Sequence, residues 1–243
     1  MKTSEPFLFE DFRQAHEQLR SSLEQHEHYA LLCGESGSGK TTLLRLTQAR
    51  LDRCHYRWVY FNIAQLQPGG LARLLARSLR LPILRSQPET LQSITRTLAD
   101  EPTRLVITID EAHRLPDETL AELYTLAEAD LERDLPISIL LSALPALRER
   151  LQSPGLFPLW RRITRRLEIT GLRRDELLAF VEHQVGAKIS KRLEEAALVA
   201  LAEHGRGLPG LILPYLQHIL QQIPAGAIAA DQVDSLLQQW NLS

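Results

Sequence analysis

Residues Gly34 to Thr41 read Gly-Glu-Ser-Gly-Ser-Gly-Lys-Thr and match the phosphate-loop pattern G-x-x-x-x-G-K-[ST] at every fixed position. An apolar run at residues 29–33 precedes this loop, as expected of a buried parallel strand. Leucines at helical spacing follow the loop up to Leu46. A strand, a glycine-rich loop and a helix in this order surround a phosphate group with backbone N–H groups and a helix N-terminus. The stretch therefore predicts an α/β fold that binds a nucleotide.

The side chains of the phosphate loop have separate expected roles. Lys40 is predicted to reach the β- and γ-phosphates, and the Thr41 hydroxyl is predicted to ligate Mg²⁺. The predicted cofactors are therefore ATP and Mg²⁺. The predicted nucleotide-binding set consists of Gly34, Glu35, Ser36, Gly37, Ser38, Gly39, Lys40, Thr41, Thr42 and Asp110.

A second signature, usually called Walker B, is the mostly apolar run Leu105–Ile109, which ends on Asp110 and Glu111. Two carboxylates at the end of a buried strand are unfavourable unless they bind something there. Asp110 is predicted to hold Mg²⁺, directly or through water, and Glu111 to polarise the attacking water. The alternative is a strand that simply reaches solvent.

The order of elements indicates how the rest of the chain is arranged. Further strands are predicted at 57–63, 136–142 and 167–169, and helices before His28 and at 71–79, 91–97, 118–131 and 144–151. This alternation indicates a five-stranded parallel sheet sandwiched by helices. Four helices are predicted after Leu172, at 175–185, 191–204, 208–222 and 230–240. We therefore expect an α/β domain over residues 1–171 and a helical lid over 172–243.

The composition is that of an ordinary soluble globular protein. The 243 residues are 44% hydrophobic and 24% charged, with a net charge of −2, and Cys33 and Cys54 lack metal-ligand spacing. The sequence shows no apolar run of roughly 18–20 residues and no signal peptide, so we expect a cytoplasmic protein without a membrane segment. The weak net charge does not exclude nucleic-acid binding, which depends on a local basic face.

Polar residues near the later strands are further candidates. Ser142, where the fourth strand ends, is equally consistent with a contact to the γ-phosphate or lytic water and with an ordinary strand-to-loop serine. Many arginines follow it, and a solvated basic face explains at least half of them. The others are predicted to bind nucleic-acid phosphates or to supply an arginine finger to a neighbouring subunit, and the position before the fifth strand favours Arg161 or Arg162 as the finger. The arginines are Arg148, Arg150, Arg161, Arg162, Arg165, Arg166, Arg173 and Arg174.

Together these features resemble the AAA+ ATPases, and within them the ExeA-like group with its transposition ATPases of the TniB, TnsC and Mu B type. The resemblance lies in residues 34–45, 107–113, 141–148 and 161–166. It implies that Ser142 is sensor 1 and Arg162 the finger, beside Glu111 in the catalytic set. One departure is Leu208-Pro209-Gly210, where the family's lid has Pro-Arg; Arg206 is a candidate substitute. Without a substitute, we expect slow hydrolysis, as in a switch.

The resemblance implies an ATP-dependent, DNA-binding regulator of transposition that assembles on double-stranded DNA as a ring or filament, such as a hexamer or heptamer. Its partners would be further copies of itself, a transposase and a target-selection protein. Arg73, Arg77 and Arg80 share one predicted helix face and form a candidate row for DNA phosphates, with helix solubility as the alternative. An ExeA-like ATPase serving secretion or envelope assembly and a remodeller of protein partners stay open.

Overall fold

The computed structural model describes residues 5–62, 70–99, 102–124 and 136–240. The chain divides into two compact units. The sheet unit consists of His16–Gly34 and Leu43–Glu168, and the helical unit consists of Met1–Ala15, Glu35–Thr42 and Ile169–Ser243.

The central sheet has five parallel strands in the order β2-β3-β4-β1-β5. The strands are β1 Tyr29–Gly34, β2 Tyr56–Asn62, β3 Arg104–Asp110, β4 Ile137–Ala143 and β5 Arg165–Ile169. The register pairs Asn62 of β2 with Asp110 of β3, and Cys33 of β1 with Ala143 of β4. The carboxyl ends of these four strands therefore lie at one edge of the sheet. This edge is where α/β sheets place their ligands.

Three strands form the buried centre of the sheet. Every residue of β1, β3 and β4 is buried, as expected of parallel strands covered on both faces. The polar side chains Thr108, Asp110 and Ser142 lie within these strands and are also buried. The sheet confirms the predicted fold class, an α/β sheet of five parallel strands flanked by helices.

Helices flank the strands in the order that the sequence predicts. They are α1 Glu10–Glu24, α2 Lys40–Arg50, α3 Gly70–Leu79, α4 Gln87–Ala99, α5 with described residues 117–124, α6 Ala146–Leu151 and α7 Phe157–Arg162. On α3, the apolar residues Leu71, Leu75 and Leu79 recur at four-residue steps, and they join the core of the sheet unit.

The helical unit follows β5. Its helices are α8 Leu177–Val185, α9 Ala187–Ser190, α10 Glu195–His204, α11 Pro209–Gln222 and α12 Ala230–Trp240, and a 3-10 turn, Arg174–Glu176, precedes α8. The buried residues of α10 include Leu198 and Leu201, and those of α11 include Leu216. These apolar residues form the inner faces of the unit.

The helix predicted over residues 191–204 begins later, at Glu195, and a short helix at Ala187–Ser190 precedes it. Residues 191–194 leave the helical conformation between α9 and α10, because their backbone bonds with Ile228 instead. The Ile228 N–H donates to the Arg192 carbonyl at 2.7 Å, and the Glu194 N–H donates to the Ile228 carbonyl at 3.0 Å. The backbone groups that would continue a helix are thereby used in a short β-bridge.

Two other boundaries, those of the leading helix and of the helix predicted at 91–97, also differ from the prediction. The leading helix ends at Glu24, and His26 follows with a left-handed φ of 60°. The helix predicted at 91–97 begins earlier, at Gln87, with Pro88 in its first turn, where a missing N–H leaves no helical bond unmade. Ile63, the predicted end of the second strand, and residues 125–131 of the predicted fifth helix lie outside the described residues.

Among the helices in the described ranges, none is both long enough and apolar enough to cross a lipid bilayer.

Candidate nucleotide-binding and hydrolysis site

The phosphate loop, Gly34–Thr41, has the backbone of an anion cradle. Gly37 and Gly39 adopt φ values of 85° and 107°, which glycine reaches without the strain of a Cβ atom. The Ser38 N–H donates to the Glu35 carbonyl at 3.1 Å, and the Lys40 ammonium donates to the same carbonyl at 3.0 Å. These bonds fold the loop back on itself immediately before α2 begins.

The donors of the loop fit a polyphosphate with its metal ion. The Ser38 hydroxyl is buried and has no hydrogen-bond partner among the described residues. Such a group is unfavourable unless something bonds to it. Lys40, which is only 5% exposed, and Thr41 begin an 11-residue helix whose N-terminus favours negative charge. The Lys40 ammonium and the loop N–H groups suit phosphate oxygens, and the Thr41 hydroxyl suits Mg²⁺.

Within the helical unit, the phosphate loop contacts the start of α11 through backbone atoms. The Gly210 N–H donates to the Gly37 carbonyl at 2.9 Å. A Cβ atom placed on Gly210 would lie 2.6 Å from the Gly37 Cα, closer than real Cβ contacts occur. This close approach leaves no room for a side chain at Gly210. It explains why this chain has a glycine at the position where the lid of the family that it resembles has an arginine.

Arg206 is the sequence-predicted substitute for that arginine. It follows α10 with a left-handed φ of 50° and is exposed. With Leu172, Arg173 and Arg174 it lines a cavity of about 220 Å³, and no residue of the phosphate loop belongs to that lining. A contact between Arg206 and phosphate stays a prediction.

In the sheet unit, Asp110 at the end of β3 is held by three hydrogen bonds. Its Oδ1 atom accepts from the Ser142 hydroxyl at 2.7 Å and from the Glu111 backbone N–H at 3.0 Å. Its Oδ2 atom accepts from the Tyr60 hydroxyl at 2.7 Å. Asp110 is 3% exposed, so these bonds fix a buried carboxylate in one orientation. An oriented carboxylate is a suitable second anchor for Mg²⁺ or its bound water.

Tyr60 is the residue that sequence reasoning missed. Burial and the hydrogen bond to Asp110 raise the pKa of its phenol to about 12, so the phenol remains protonated and donates near neutral pH. Tyr60 lies two residues before the end of β2, and the strand register pairs it with Thr108, two residues before Asp110. The sequence shows only an aromatic residue two positions before the end of the strand. That feature is too common to identify Tyr60 as a hydrogen-bond partner of Asp110.

Glu111 lies in a different environment from Asp110. Its backbone adopts φ 57° and ψ 32°, a left-handed conformation that is unfavourable for a residue with a side chain. Its side chain is 40% exposed, which leaves the carboxylate accessible to water. One buried, bonded carboxylate beside an exposed one fits the predicted division between metal binding and water activation.

His113 connects Glu111 with the segment after β4. Its Nδ1 atom accepts from the Leu144 N–H at 3.3 Å, and its Nε2 atom lies 3.7 Å from a Glu111 carboxylate oxygen. Because a backbone N–H only donates, the neutral ring carries its proton on Nε2, the nitrogen that faces Glu111.

The structure places the Ser142 hydroxyl on Asp110 rather than leaving it at an open turn. Ser142 is fully buried inside β4, and its register partner on β1 is Leu32. In this arrangement it positions the carboxylate. Its predicted contact with the γ-phosphate or lytic water stays a prediction.

The arginine cluster divides into arginines that have partners among the described residues and arginines that have none there. Arg165 bonds to Glu27, with Nε at 3.1 Å from a carboxylate oxygen, and the Arg166 guanidinium lies 3.7 Å from the centre of the Trp160 ring. Arg148, Arg150, Arg173 and Arg174 form ion pairs with Glu168, Asp117, Glu176 and Glu203 respectively.

Arg161 and Arg162, at the end of α7, differ from the rest of the cluster. Neither forms an ion pair or a side-chain hydrogen bond with any residue that the structure describes. Within the arginine cluster, the two candidates for the finger are therefore the ones whose guanidinium groups are not bonded among the described residues.

The predicted row of phosphate-binding arginines on α3 is wrong for Arg80. Arg73 and Arg77 are exposed on the helix, four residues apart. Arg80 lies beyond the helix end with a left-handed φ of 59°, because the Leu81 N–H bonds back to the Ala76 carbonyl at 2.7 Å and terminates the helix.

The sheet, the glycine loop after β1 and the acidic pair after β3 define a P-loop nucleoside-triphosphatase fold. The AAA domain family matches residues 23–151, which is more than half of the chain. The chain therefore belongs to the AAA domain family, and its fold is that of the P-loop AAA+ ATPases.

One curated relative is General secretion pathway protein A from Aeromonas hydrophila, which is 25% identical over 215 residues. The alignment covers 85% of this chain and 39% of that protein, so the chain spans about two fifths of the relative's length.

Solved structures share the fold at lower identity. Cdc6p from Pyrobaculum aerophilum superposes with a TM-score of 0.72 at 20% identity, covering 96% of this chain and 68% of that one. The ORC2 protein of Aeropyrum pernix, in ADPNP-ADP complexes, gives 0.65 at 18% identity over 93% and 66% of the two chains. A mutant of RuvB from Thermotoga maritima gives 0.61 at 21% identity over 96% and 71%.

Proposed function

We propose that this chain binds ATP with Mg²⁺ and hydrolyses it. The observation that carries the proposal is the buried carboxylate of Asp110, held by three donors at the sheet edge where Gly34 of β1 continues into the phosphate loop. A bound Mg²⁺ would neutralise phosphate charge. Lys40 and Thr41 would hold the phosphates and the metal from the loop, and Asp110 would supply the second anchor for the metal.

Adenine is the proposed base because a structure with the same fold supports it. The ORC2 protein is recorded in complexes with ADPNP and ADP, and its fold covers 93% of this chain. Glu111, exposed beside the buried Asp110, takes the role of polarising the attacking water.

A Glu111→Gln substitution tests the hydrolysis proposal. The variant is expected to bind a fluorescent ATP analogue with Mg²⁺ as tightly as the unmodified chain, because the amide has the same shape. Its turnover is expected to fall by about 10²–10⁴-fold, the usual contribution of a general base. Phosphate release at saturating ATP measures this. Full turnover by the variant would contradict the assignment.

We further propose that the complete catalytic site forms only between copies of the chain, in a ring or filament. The support is that Arg161 and Arg162 have no partner among the described residues, although they end a short helix just before β5. A guanidinium group with no internal bond is available to the phosphate of a neighbouring copy, and Arg162 is the proposed finger.

The biological role that we propose is ATP-dependent regulation of DNA transposition, with assembly on double-stranded DNA and recruitment of a transposase. Support comes from the resemblance of residues 34–45, 107–113 and 161–166 to that group and from the exposed Arg73 and Arg77. The glycine contact that replaces a lid arginine supports slow hydrolysis, as a switch requires.

Negative-stain microscopy with ATP, Mg²⁺ and duplex DNA tests this role. Rings or filaments that require both ATP and DNA are expected. Lack of DNA association at low salt, where phosphate contacts are strongest, would contradict it.

One finding favours a second role, in secretion. The relative named General secretion pathway protein A is similar over 85% of this chain. Assembly that requires ATP but is unaffected by DNA would favour this second role over the first.

A further inference from the structure

A groove of about 600 Å³ lies in the sheet unit, between the end of α2 and the start of β2. Its lining includes Arg45, Gln48, Arg53, Tyr56, Arg57 and Trp58, and we call it the Arg–Trp groove. None of the residues predicted to bind ATP belongs to the lining. Tyr56 and Trp58 begin β2, whereas Asp110 lies at the opposite, carboxyl end of the adjacent strand.

The charged side chains that line the groove are all positive. Three arginines line it, and no carboxylate does among the described residues. The nearby Asp52 is not in the lining, and its carboxylate accepts bonds from the Cys54 N–H and from His55 instead. None of the three arginines forms an ion pair with a described residue.

One arginine of the groove is restrained by a hydrogen bond. Arg57 donates a hydrogen bond to the Ser78 carbonyl, near the end of α3, at 2.5 Å, and this bond restrains its guanidinium. The other N–H groups of the guanidinium take no part in that bond. Tyr56 and Trp58 lie two residues apart on the edge strand β2, so their side chains face the same side of the sheet. A restrained arginine loses less entropy on binding a ligand than a free one does.

We propose that the Arg–Trp groove binds a single-stranded segment of nucleic acid. Arg45, Arg53 and Arg57 contact the phosphates, and the Trp58 ring stacks on an unpaired base. Arginines with an interleaved aromatic ring form the surfaces on which single strands bind, because the cations track the backbone and every base has a face that stacks. The volume suits one or two nucleotide units rather than a whole duplex.

Binding to an oligodeoxythymidine of about 20 nucleotides, followed by fluorescence anisotropy without ATP, tests the arginines. An Arg45→Glu, Arg53→Glu double variant is expected to bind at least roughly tenfold more weakly. Because each lost phosphate contact lowers the salt dependence of single-strand binding by about 0.7, the slope should fall by about 1.4. Arg45→Gln with Arg53→Gln serves if the glutamate variant fails to fold.

The matched control is an Arg85→Glu, Arg96→Glu double variant, which changes the net charge equally at two exposed arginines, one just before α4 and one on it. It is expected to bind the single strand as the unmodified chain does. Equal weakening of single-strand binding in both double variants would show a general charge effect and would overturn the proposal that the groove binds the strand. Unchanged binding by the groove variant would overturn it as well.

Variants of Trp58 test the stacking step. Trp58→Leu is expected to bind the single strand roughly tenfold more weakly but a duplex of the same length as before, and Trp58→Phe is expected to restore single-strand binding. Equal affinity of Trp58→Leu and the unmodified chain would contradict the role of the ring. Arginine-dependent binding to phosphatidylglycerol vesicles, without binding to the oligonucleotide, would overturn the proposal in favour of a membrane surface.

The proposal does not depend on ATP hydrolysis. The same variants are therefore titrated with a fluorescent ATP analogue, and their affinity for it is expected to be unchanged. Failure of the ATP analogue to bind any form would count against the proposed ATPase function and leave the groove to be judged by the oligonucleotide alone.

Discussion

Asp110 is a carboxylate inside a strand that is buried along its whole length. Three donors, from Ser142, Tyr60 and the Glu111 backbone, offset the loss of water around it. They also fix the direction of its oxygens before any ligand arrives. A fixed carboxylate binds a metal ion with less entropy loss than a mobile one, so these donors would act on a metal ion bound at Asp110.

Tyr60→Phe removes one of these donors while keeping the ring. The variant is expected to need about tenfold more Mg²⁺ for half-maximal ATP turnover, the lower end of the effect of losing such a supporting bond. Its thermal stability should change little, because Tyr60 is 39% exposed. Magnesium titrations of turnover measure the effect.

The matched control for this prediction is Tyr56→Phe. Tyr56 belongs to the same strand and face, but its hydroxyl donates to the Leu23 carbonyl at 3.3 Å, away from Asp110. Its magnesium dependence should equal that of the unmodified chain. Equal shifts in both variants would show that the effect does not pass through Asp110.

At the residue scale, the sequence predicted the residues of the motifs but not the side chains that hydrogen-bond to them. Lys40, Thr41 and Asp110 stand at fixed spacings within local patterns, so their candidacy needs no tertiary information. Tyr60 is 50 residues from Asp110 in the chain, and only the β2–β3 register brings the two together. Single-sequence patterns carry no register between strands.

Among the elements, the start of α11 approaches the phosphate loop within the distance of a backbone hydrogen bond. Gly210→Ala adds a Cβ atom where only 2.6 Å separates it from the Gly37 Cα, so backbone must move. We expect a loss of about 1–3 kcal/mol in the free energy of unfolding. In a chain of this size each kcal/mol lowers the melting temperature by about 2–4 °C, which calorimetry detects.

Gly155→Ala is the control for that substitution. Gly155 has open space around its Cβ position and no left-handed φ. The substitution should therefore leave the melting temperature within about 1 °C or raise it slightly. A stable Gly210→Ala protein would show that the backbone contact is not maintained in solution.

The ion pair between Arg165 of β5 and Glu27 joins the fifth strand to the segment before β1. Burial alone would raise the pKa of Glu27, but hydrogen bonds from Arg165 and Ser22 outweigh it and hold the pKa below the ordinary value of 4.5. A lowered folded-state pKa contributes stability above the unfolded-state pKa, and this contribution disappears as the pH falls through the folded-state value.

Arg165→Ala is therefore expected to melt at a lower temperature than the unmodified chain at pH 7. The difference should shrink as the pH falls below about 4.5, where Glu27 becomes protonated in the unfolded chain. Arg161→Ala, which breaks no bond among described residues, is the control and should melt like the unmodified chain. Melting curves between about pH 3 and 7 measure both.

At the element scale, local patterns located most helices and strands but not their interruptions. The apolar runs of β1, β3 and β4 are buried on both faces, which makes them easy to recognise. The break at residues 191–194 has no glycine or proline to mark it. It comes from pairing with Ile228, a contact that no local pattern contains.

For the whole molecule, the proposed finger predicts complementation between two inactive variants. Glu111→Gln keeps Arg162 but lacks the water-activating carboxylate, whereas Arg162→Ala keeps Glu111 but lacks the finger. Each alone is expected to turn over ATP at least about 10²-fold more slowly than the unmodified chain. Mixed, they should recover part of the rate, because an Arg162 from one copy meets a Glu111 from the other.

The mixing experiment is followed as phosphate release at constant total protein. Mixing Lys40→Ala with Glu111→Gln is the control. No site in that mixture both binds ATP through Lys40 and activates water through Glu111, so no recovery is expected. No recovery in the Arg162→Ala mixture, together with full activity of the dilute unmodified chain, would show that each copy completes its own site.

The architecture of the molecule was predictable because one motif, at residues 34–41, fixes the order of strand, loop and helix, and the alternation of elements extends it to a parallel sheet. The grouping of the loop residues Glu35–Thr42 with the helical unit was not predictable. One contact within this group is the Gly37–Gly210 approach, which joins residues distant in the chain.

The central claim is that the phosphate loop holds a triphosphate through Lys40. The most direct measurement is the affinity of the unmodified chain and of Lys40→Ala for a fluorescent ATP analogue with Mg²⁺, alongside their melting temperatures. We predict an affinity loss of roughly 100-fold in Lys40→Ala, since a cation paired with phosphate in a water-poor site is removed, with the fold intact. A folded Lys40→Ala protein that binds the analogue as tightly as the unmodified chain would contradict the claim.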